Sequence, residues 1–192
     1  MIKLVAFLGN KGSEYQKSRH NSGWLFLEEL QEQLPPFAWQ NKFHGRWAKA
    51  FLPEQVMLLQ PKTYMNQSGK SVGAAMSFFS LLPEELLVVH DDLLLPFGVV
   101  QLQSGGGLGG HNGLRSVTSH IGSSDFFRLR IGIGRPAHHS VSSFVLSRFS
   151  VEEEAFLPLI LQQSVQMVLS WSAASFAKEN MPKRLTIGVN EV

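Results

Sequence analysis

Three short stretches of this chain set groups that can move a proton or hold an anion beside polar amides. His20-Asn21 precedes an apolar-periodic segment, His90-Asp91-Asp92 ends a continuous apolar run, and His111-Asn112 closes the glycine-rich stretch SGGGLGGHNG. Histidine is the side chain whose ordinary pKa lies nearest neutrality, so an imidazole with a carboxylate partner is the simplest source of a general base. The 192 residues contain no cysteine. Composition therefore excludes a thiolate nucleophile, a thioester route, a structural disulfide and a cysteine-based zinc site. His90, Asp91 and Asp92 are ordinary metal ligands, but adjacent side chains on an extended strand leave opposite faces. His90 and Asp92 should then diverge from Asp91, and no metal site is expected.

Each stretch also has a purely structural reading. His20 serves equally as a polar neighbour of a helix start, and the six glycines between 105 and 113 equally as a tight turn of left-handed residues. Alternatively, such a loop lets a ligand come close to the backbone and delivers His111 and Asn112 to a helix start, where free N–H groups favour negative charge. Two nucleotide-binding matches fail. GGGLGG (105 to 110) fits the dinucleotide fingerprint literally, but the acid expected about 20 residues later would be Asp125, which precedes its strand. Gly69-Lys70-Ser71 resembles the end of a P-loop, yet Tyr64 stands where the first glycine is required. No nucleotide cofactor is expected. Asn66-Gln67-Ser68 is a glycosylation sequon only in a secreted protein.

The elements that must position these groups alternate between strand and helix. IKLVAFL (2 to 8), runs near 47 to 52 and 56 to 60, LLVVH (86 to 90), VVQLQ (99 to 103) and FFRLRIGIG (126 to 134) read as strands. Helices are expected from Ser22 to Leu34, with Trp24, Leu27, Leu30 and Leu34 on one face, from Ser68 to Leu82, and from Asn112 to Ile121. Ser150 and Glu153 form a capping box for a C-terminal helical segment at about 150 to 180, which Pro158 is expected to kink. The reading is a single α/β domain over 1 to 192, with a central mixed, mostly parallel sheet covered by helices on both faces. Asp91 then lies at the C-terminal end of a central strand, where such sheets place their active sites.

Hydrophobic residues at 44% and charged residues at 17% exclude a disordered chain and require a packed core. The apolar start of the chain stops at Gly9 and Asn10, and glutamines and a serine interrupt the stretch from Phe156 to Ala177. Neither reads as a membrane segment, and the cytoplasm is the expected compartment. The net charge of +2 is unevenly spread: residues 1 to 50 carry +3, residues 111 to 150 carry +4, and the rest −5. Clustered positive charge fits a polyanionic partner, nucleic acid first, or simply a solvated basic face.

Three segments together resemble the bacterial-type peptidyl-tRNA hydrolases. LGNKGSEYQKSRHNSGW (8 to 24) is similar to that family's opening motif and PKTYMNQSGKSV (61 to 72) to its second. HDDLLLPFG with GGGLGGHNGLRS (90 to 116) is similar to its third, and FRLRIGIGRP (127 to 136) follows where the family has an Arg-rich strand. The likeness runs from about residue 2 to 184. It implies hydrolysis of the ester between a peptide and the 3′ ribose of tRNA, with no metal or other cofactor, by a monomer whose partner is peptidyl-tRNA. Carried over residue by residue, His20 is the general base, Asp91 orients its imidazole, and Asn10 helps tell a blocked peptidyl amide from a free amine. Tyr15, Tyr64, Asn66 and Asn112 match substrate or tRNA contacts, Met65 lines the cleft with His111 beside it, and Arg130 corresponds to a tRNA-contacting basic residue.

This chain departs from the family pattern at Lys11, where proline is usual, at Leu94, commonly acidic, and at Gln103, commonly basic; 137 to 143 lacks the expected lysines, leaving His138 and His139 as its basic groups. On the His20 side, a following helix would lower the imidazole pKa and Asp91 would raise it. Two other functions share the scaffold: a non-hydrolytic RNA-binding protein, which needs no general base, and a small-ester or peptide hydrolase, which leaves the charge asymmetry unexplained.

Overall fold

A computed structural model describes residues 1–136 and 140–188. Its strands are β1 (Leu4–Phe7), β2 (Gln40–Lys42), β3 (Gly45–Leu52), β4 (Glu54–Pro61), β5 (Leu86–Asp92), β6 (Val99–Ser104), β7 (Phe127–Gly132) and β8 (Arg184–Thr186). The helices are α1 (Ser22–Gln33), α2 (Ser68–Phe79), α3 (Asn112–Ile121), α4 (Val141–Leu146) and α5 (Val151–Ala173). The strands form one mixed sheet in the order β2-β3-β4-β1-β5-β7-β6-β8. Its centre, β4-β1-β5-β7, is parallel, and the flanking pairs are antiparallel.

Alternation along the central strands sorts the core into two layers. Leu4, Ala6 and Leu8, with Leu86 and Val88, pack with α2 and α3 residues such as Val72, Met76, Leu114 and Val117. Val5, Phe7, Leu87 and Val89 face the other way and pack with Trp24, Leu27 and Leu30 of α1 and Val165, Val168 and Trp171 of α5. Successive strand side chains point to opposite faces, so a sheet buried on both sides needs the continuous apolar runs seen in β1 and β5. Because β1, β4, β5 and β7 run the same way, their C-terminal ends share one edge. The segments after β1 and β4, carrying Asn10 and Met65, and the end of β5, carrying Asp91 and Asp92, are delivered there together.

Several boundaries differ from expectation for local reasons. Helix α2 stops at Phe79 rather than Leu82 because Ser80 is left-handed, φ 52°, and its N–H turns back to the carbonyls of Met76 and Ser77; no glycine advertises this stop. The edge strands β2 and β8 are three residues each, too short to register as a period. The capping box of α5 is present, and the helix is continuous through Pro158. Helix α4 lies in a stretch without an expected element; the neighbouring His138 and His139 lie outside the described residues.

The start of α1 is pressed against the strand ends. A Cβ built on Gly23 would lie 2.5 Å from the Leu8 carbonyl oxygen and 2.6 Å from that of Val89, and both are backbone atoms that cannot swing away. Gly23→Ala should therefore cost about 1–3 kcal/mol of stability as an overpacked site, and because the turn carrying His20 leads into this helix, activity should fall with it. Urea unfolding checks the first part; a change below about 0.5 kcal/mol, within the range of ordinary surface substitutions, would show that the helix start is free to move.

Candidate active site

At the shared edge, a 3-10 turn over Arg19–Asn21 precedes α1 and holds His20 almost buried. Asp91, 1% exposed, reaches from the end of β5 and accepts from His20 Nδ1, with Oδ1 at 2.8 Å and Oδ2 at 2.9 Å. His111, on the loop before α3, contacts Asp91 Oδ1 through Nε2 at 3.0 Å. Its Nδ1 is the N-cap acceptor of α3, meeting the N–H groups of Gly113 at 3.1 Å and Leu114 at 3.3 Å. A nitrogen accepting from two backbone donors carries no hydrogen, so Nε2 of His111 holds the proton and donates to Asp91. His20 likewise donates through Nδ1, which leaves its Nε2 lone pair for the cavity.

The carboxylate and the imidazole shift each other. Burial opposes charge on Asp91, but the neighbouring His20 and His111 outweigh it and hold the carboxyl well below the usual carboxylate range. Burial also opposes charge on His20, yet the charge and hydrogen bond of Asp91 win, and its pKa is raised above the ordinary histidine value. The lowering influence here is desolvation rather than the following helix. His90 behaves oppositely: burial, reinforced by His111, pushes it down to about 3. Its Nδ1 donates to the Asp91 carbonyl at 2.7 Å, and its ring meets His111 edge-on with centroids 5.0 Å apart.

Asn10 is locked beside this cluster. Its backbone N–H donates to Asn21 Oδ1 at 2.8 Å, Asn21 Nδ2 returns a bond to the Asn10 carbonyl at 3.1 Å, and Asn10 Oδ1 accepts the Met65 N–H at 2.7 Å. Oδ1 thus already accepts one hydrogen bond, while the Asn10 Nδ2 hydrogens have no partner among the described residues. A cavity of about 260 Å³ lies over His20 and Asp91, with His111 and Asn112 in its wall and Val141 and Val145 of α4 closing one side.

The structure thus unites His20, Asp91 and His111 by direct hydrogen bonds and ties Asn10 to Met65. Asn112 lines the same cavity but is exposed, its Oδ1 held by Arg115. Tyr64 is exposed and lies under the Lys11 ammonium; Tyr15 is half-buried and Asn66 exposed, and neither hydrogen-bonds through its side chain to the cluster. Arg130 stands apart, its Nε on Asp92 at 2.7 Å and its Nη1 on Gln103 at 2.7 Å. Two of the five arginines between 111 and 150 are therefore turned inward: the other, Arg128, is 1% exposed and binds the carbonyls of Gly105 and Gly107, pinning the glycine loop. Asp91 and Asp92 diverge as expected. A different trio, His20, Asp91 and His111, has ligand-capable atoms within 4.8 Å of one another, and both imidazoles already hydrogen-bond Asp91.

Sequence reasoning missed three contributors. Asn21 occupies the N-cap position of α1 without capping it, because its amide serves Asn10. Arg19 is buried and joins the His20 turn to α5 through Glu153 and to the chain before α5 through the Arg148 carbonyl, with its guanidinium 4.3 Å from the Phe144 ring centroid. Helix α4 forms the cavity wall. The one available signal was Glu153, which both completes the capping box and meets Arg19.

Comparison with known proteins places these residues in context. The family model described as peptidyl-tRNA hydrolase matches residues 4–187. A peptidyl-tRNA hydrolase of Sorangium cellulosum is 48% identical over 90% of this chain and 79% of that protein, and one of Treponema pallidum is 52% identical over 82% and 80%. The crystal structure of peptidyl-tRNA hydrolase from Acinetobacter baumannii superposes with a TM-score of 0.85 at 38% identity, covering 94% of this chain and 92% of that one.

A pH titration follows from the His20–Asp91 pair. Since the raised pKa keeps His20 protonated to higher pH, and only the neutral imidazole accepts a proton, the acid limb of kcat/KM should lie above about 6.5, the ordinary histidine value. Asp91→Asn removes the charge that raises it and leaves burial, so the limb should move to lower pH. An NMR titration of the His20 ring checks both; a His20 pKa that stays put in the Asn variant would disprove the assigned cause.

Proposed function

This chain belongs to the peptidyl-tRNA hydrolase family and hydrolyses the ester joining a peptide to the 3′ ribose of tRNA; from that premise we propose that it does so without a metal, with His20 as the general base that activates water. The observation that carries this reading is the one-sided use of the His20 imidazole, whose Nδ1 donates to Asp91 while Nε2 remains the acceptor facing the cavity.

Water held at Nε2 gives up its proton as its oxygen attacks the ester carbonyl, and the imidazolium so formed sits against the Asp91 carboxylate, which stabilises it. The same imidazolium then returns the proton to the departing ribose oxygen. An aminoacyl ester is an activated acyl group, so a positioned water and base suffice. His111 supports the arrangement by donating to Asp91 Oδ1, which keeps that carboxylate ionised and fixed. Asn112 and Asn66 supply amide hydrogens to the developing oxyanion or the peptide, and Tyr15, Tyr64 and Met65 line the path of the acyl chain.

Asn10 discriminates because its Oδ1 is already occupied by the Met65 N–H. Its remaining Nδ2 hydrogens can donate to the carbonyl of a blocked amine, whereas a free ammonium brings only donors and meets donors. We assign tRNA docking to Arg115, Arg135 and Arg148, exposed in the positively charged 111 to 150 stretch, with Arg130 adding the part of its guanidinium left over from Asp92 and the glutamines. The chain acts as a monomer in the cytoplasm on this reading; among the described residues no helix is long and apolar enough to cross a membrane. A purely RNA-binding role is not favoured, since it requires none of the His20, Asp91 and His111 arrangement.

Turnover of N-acetyl-aminoacyl-tRNA beside the corresponding free N-acetyl amino-acid ester tests the substrate class: strong preference for the tRNA ester is expected, and equal rates would make this a small-ester hydrolase. His20→Ala should lose about 10²- to 10⁴-fold in rate while tRNA affinity, set mainly by phosphate contacts, changes little. Asp91→Asn should lose less, and because Asp91 acts through His20, the double variant should be barely worse than His20→Ala alone. Fully multiplicative losses in folded variants would give Asp91 a separate role. For the metal, overnight dialysis against EDTA should leave kcat/KM unchanged; loss restored by one divalent ion, with the tRNA shown to be folded, would overturn the metal-free mechanism.

A further inference from the structure

The segment that follows Asn10 carries a charge that hydrolysis itself does not require. Lys11 follows Asn10 directly, its backbone N–H donates to the Thr63 carbonyl at 3.1 Å, and its ammonium lies 4.9 Å from the centroid of the Tyr64 ring. A backbone tether and a ring beneath the ammonium define a place for an otherwise flexible side chain, since cations favour the face of an aromatic ring. Among the described residues Lys11 forms no ion pair. The acid next to it in sequence, Glu14, folds its carboxylate over Gly12 instead. One residue further along β4's exit, the Lys62 ammonium lies 4.3 Å from the Trp24 ring centroid. The surface beside Asn10 therefore combines free amide hydrogens of Asn10 with the Lys11 ammonium, which has no acidic partner among the described residues.

We propose that Lys11 is a specificity-determining residue: its ammonium repels the free α-ammonium of an aminoacyl-tRNA and so spares that ester, while a peptidyl-tRNA, whose α-nitrogen is a neutral amide, is not penalised. The inference rests on the assignment of the α-amide to Asn10 made above. Substrate geometry supports it, because the α-nitrogen is two bonds from the carbonyl carbon attacked at His20 and must point toward Asn10 for the amide to be read there. Asn10 opposes an ammonium at short range through hydrogen-bond polarity, and Lys11 adds a longer-range term that falls with salt.

Three esters on one tRNA separate this from other roles: phenylalanyl-tRNA with an ammonium, N-acetylphenylalanyl-tRNA with an amide, and phenyllactyl-tRNA with a neutral hydroxyl of similar size. In Lys11→Met at pH 6.5 and low salt, the kcat/KM ratio of the acetylated to the free-amine substrate should fall roughly 3- to 10-fold, the scale of one like-charge repulsion in a partly solvated cleft. The ratio of acetylated to phenyllactyl substrate should not move. The first effect should shrink with added salt and as pH passes the ordinary α-amine pKa of about 8, and Lys11→Arg should preserve it. Equal changes in both ratios, or an effect unchanged at a pH where the amine is neutral, would overturn the proposal; a uniform loss with a smaller salt slope would instead make Lys11 a phosphate contact. Asn10→Ala tests the underlying assignment separately. If the preference for the acetylated substrate survives that change while Lys11→Met still lowers it, Asn10 fails as the amide reader and Lys11 stands.

Discussion

The site depends on one constraint: the Asp91 carboxylate is buried at the end of β5 and must remain ionised there. A buried charge is tolerated only when its oxygens are paired and hydrogen-bonded, and here both partners are imidazoles that come from distant parts of the chain. His20 reaches it from the turn before α1, and His111 from the loop before α3, on the opposite face of the sheet. Satisfying this single group therefore fixes both loops relative to the central strand. It also settles the proton positions. With Asp91 accepting from both rings and His111 Nδ1 capping α3, Nε2 of His20 is the nitrogen of these two imidazoles that keeps an unshared lone pair.

The surroundings repeat the same device with neutral groups. Asn21 could cap α1, and its N-cap position invites it, yet its amide bonds both backbone groups of Asn10. Asn10 in turn uses its side-chain oxygen to hold Met65, so the exits of β1 and β4 are joined through one asparagine. Arg128 does for the glycine loop what Asn21 does for Asn10, anchoring carbonyls that glycine leaves without side-chain cover. Arg19 extends the chain of contacts from the His20 turn to Glu153 and the start of α5. These buried contacts hold the loops at the strand ends in place, which is how a folded scaffold prepays the orientation of reacting groups.

Much of this was legible in the sequence, for identifiable reasons. The uninterrupted runs of β1 and β5 announced strands buried on two faces, and the period of α1 placed Trp24, Leu27 and Leu30 in the core where they lie. The ordered motifs brought His20, Asp91 and Asn10 to notice through their likeness to a family. What stayed hidden were the bonds between segments: nothing in SGGGLGGHNG shows that His111 shares Asp91 with His20, or that Asn21 serves Asn10. The arginines misled in a physical way. Residue counts treat every positive charge as a surface charge, yet Arg128 lies beneath the glycine loop and Arg130 faces Asp92. Helix α4 escaped because its six residues are shorter than two turns and take their start from Ser140 alone.

The two acidic neighbours at the end of β5 turn to different partners. Alternation sends Asp91 toward His20 and Asp92 toward Arg130, so one backbone segment supplies counter-charges to two cationic partners. Burial opposes charge on Asp92 as well, and the Arg130 hydrogen bond together with the Leu94 N–H outweighs it, holding this carboxyl below its usual range. Arg130 is consequently paired within the protein, and Gln103 beside it accepts from the same guanidinium rather than adding a charge of its own. A lysine at position 103 would face Arg130 instead of bonding it, so the departure at Gln103 is matched to the inward-turned Arg130.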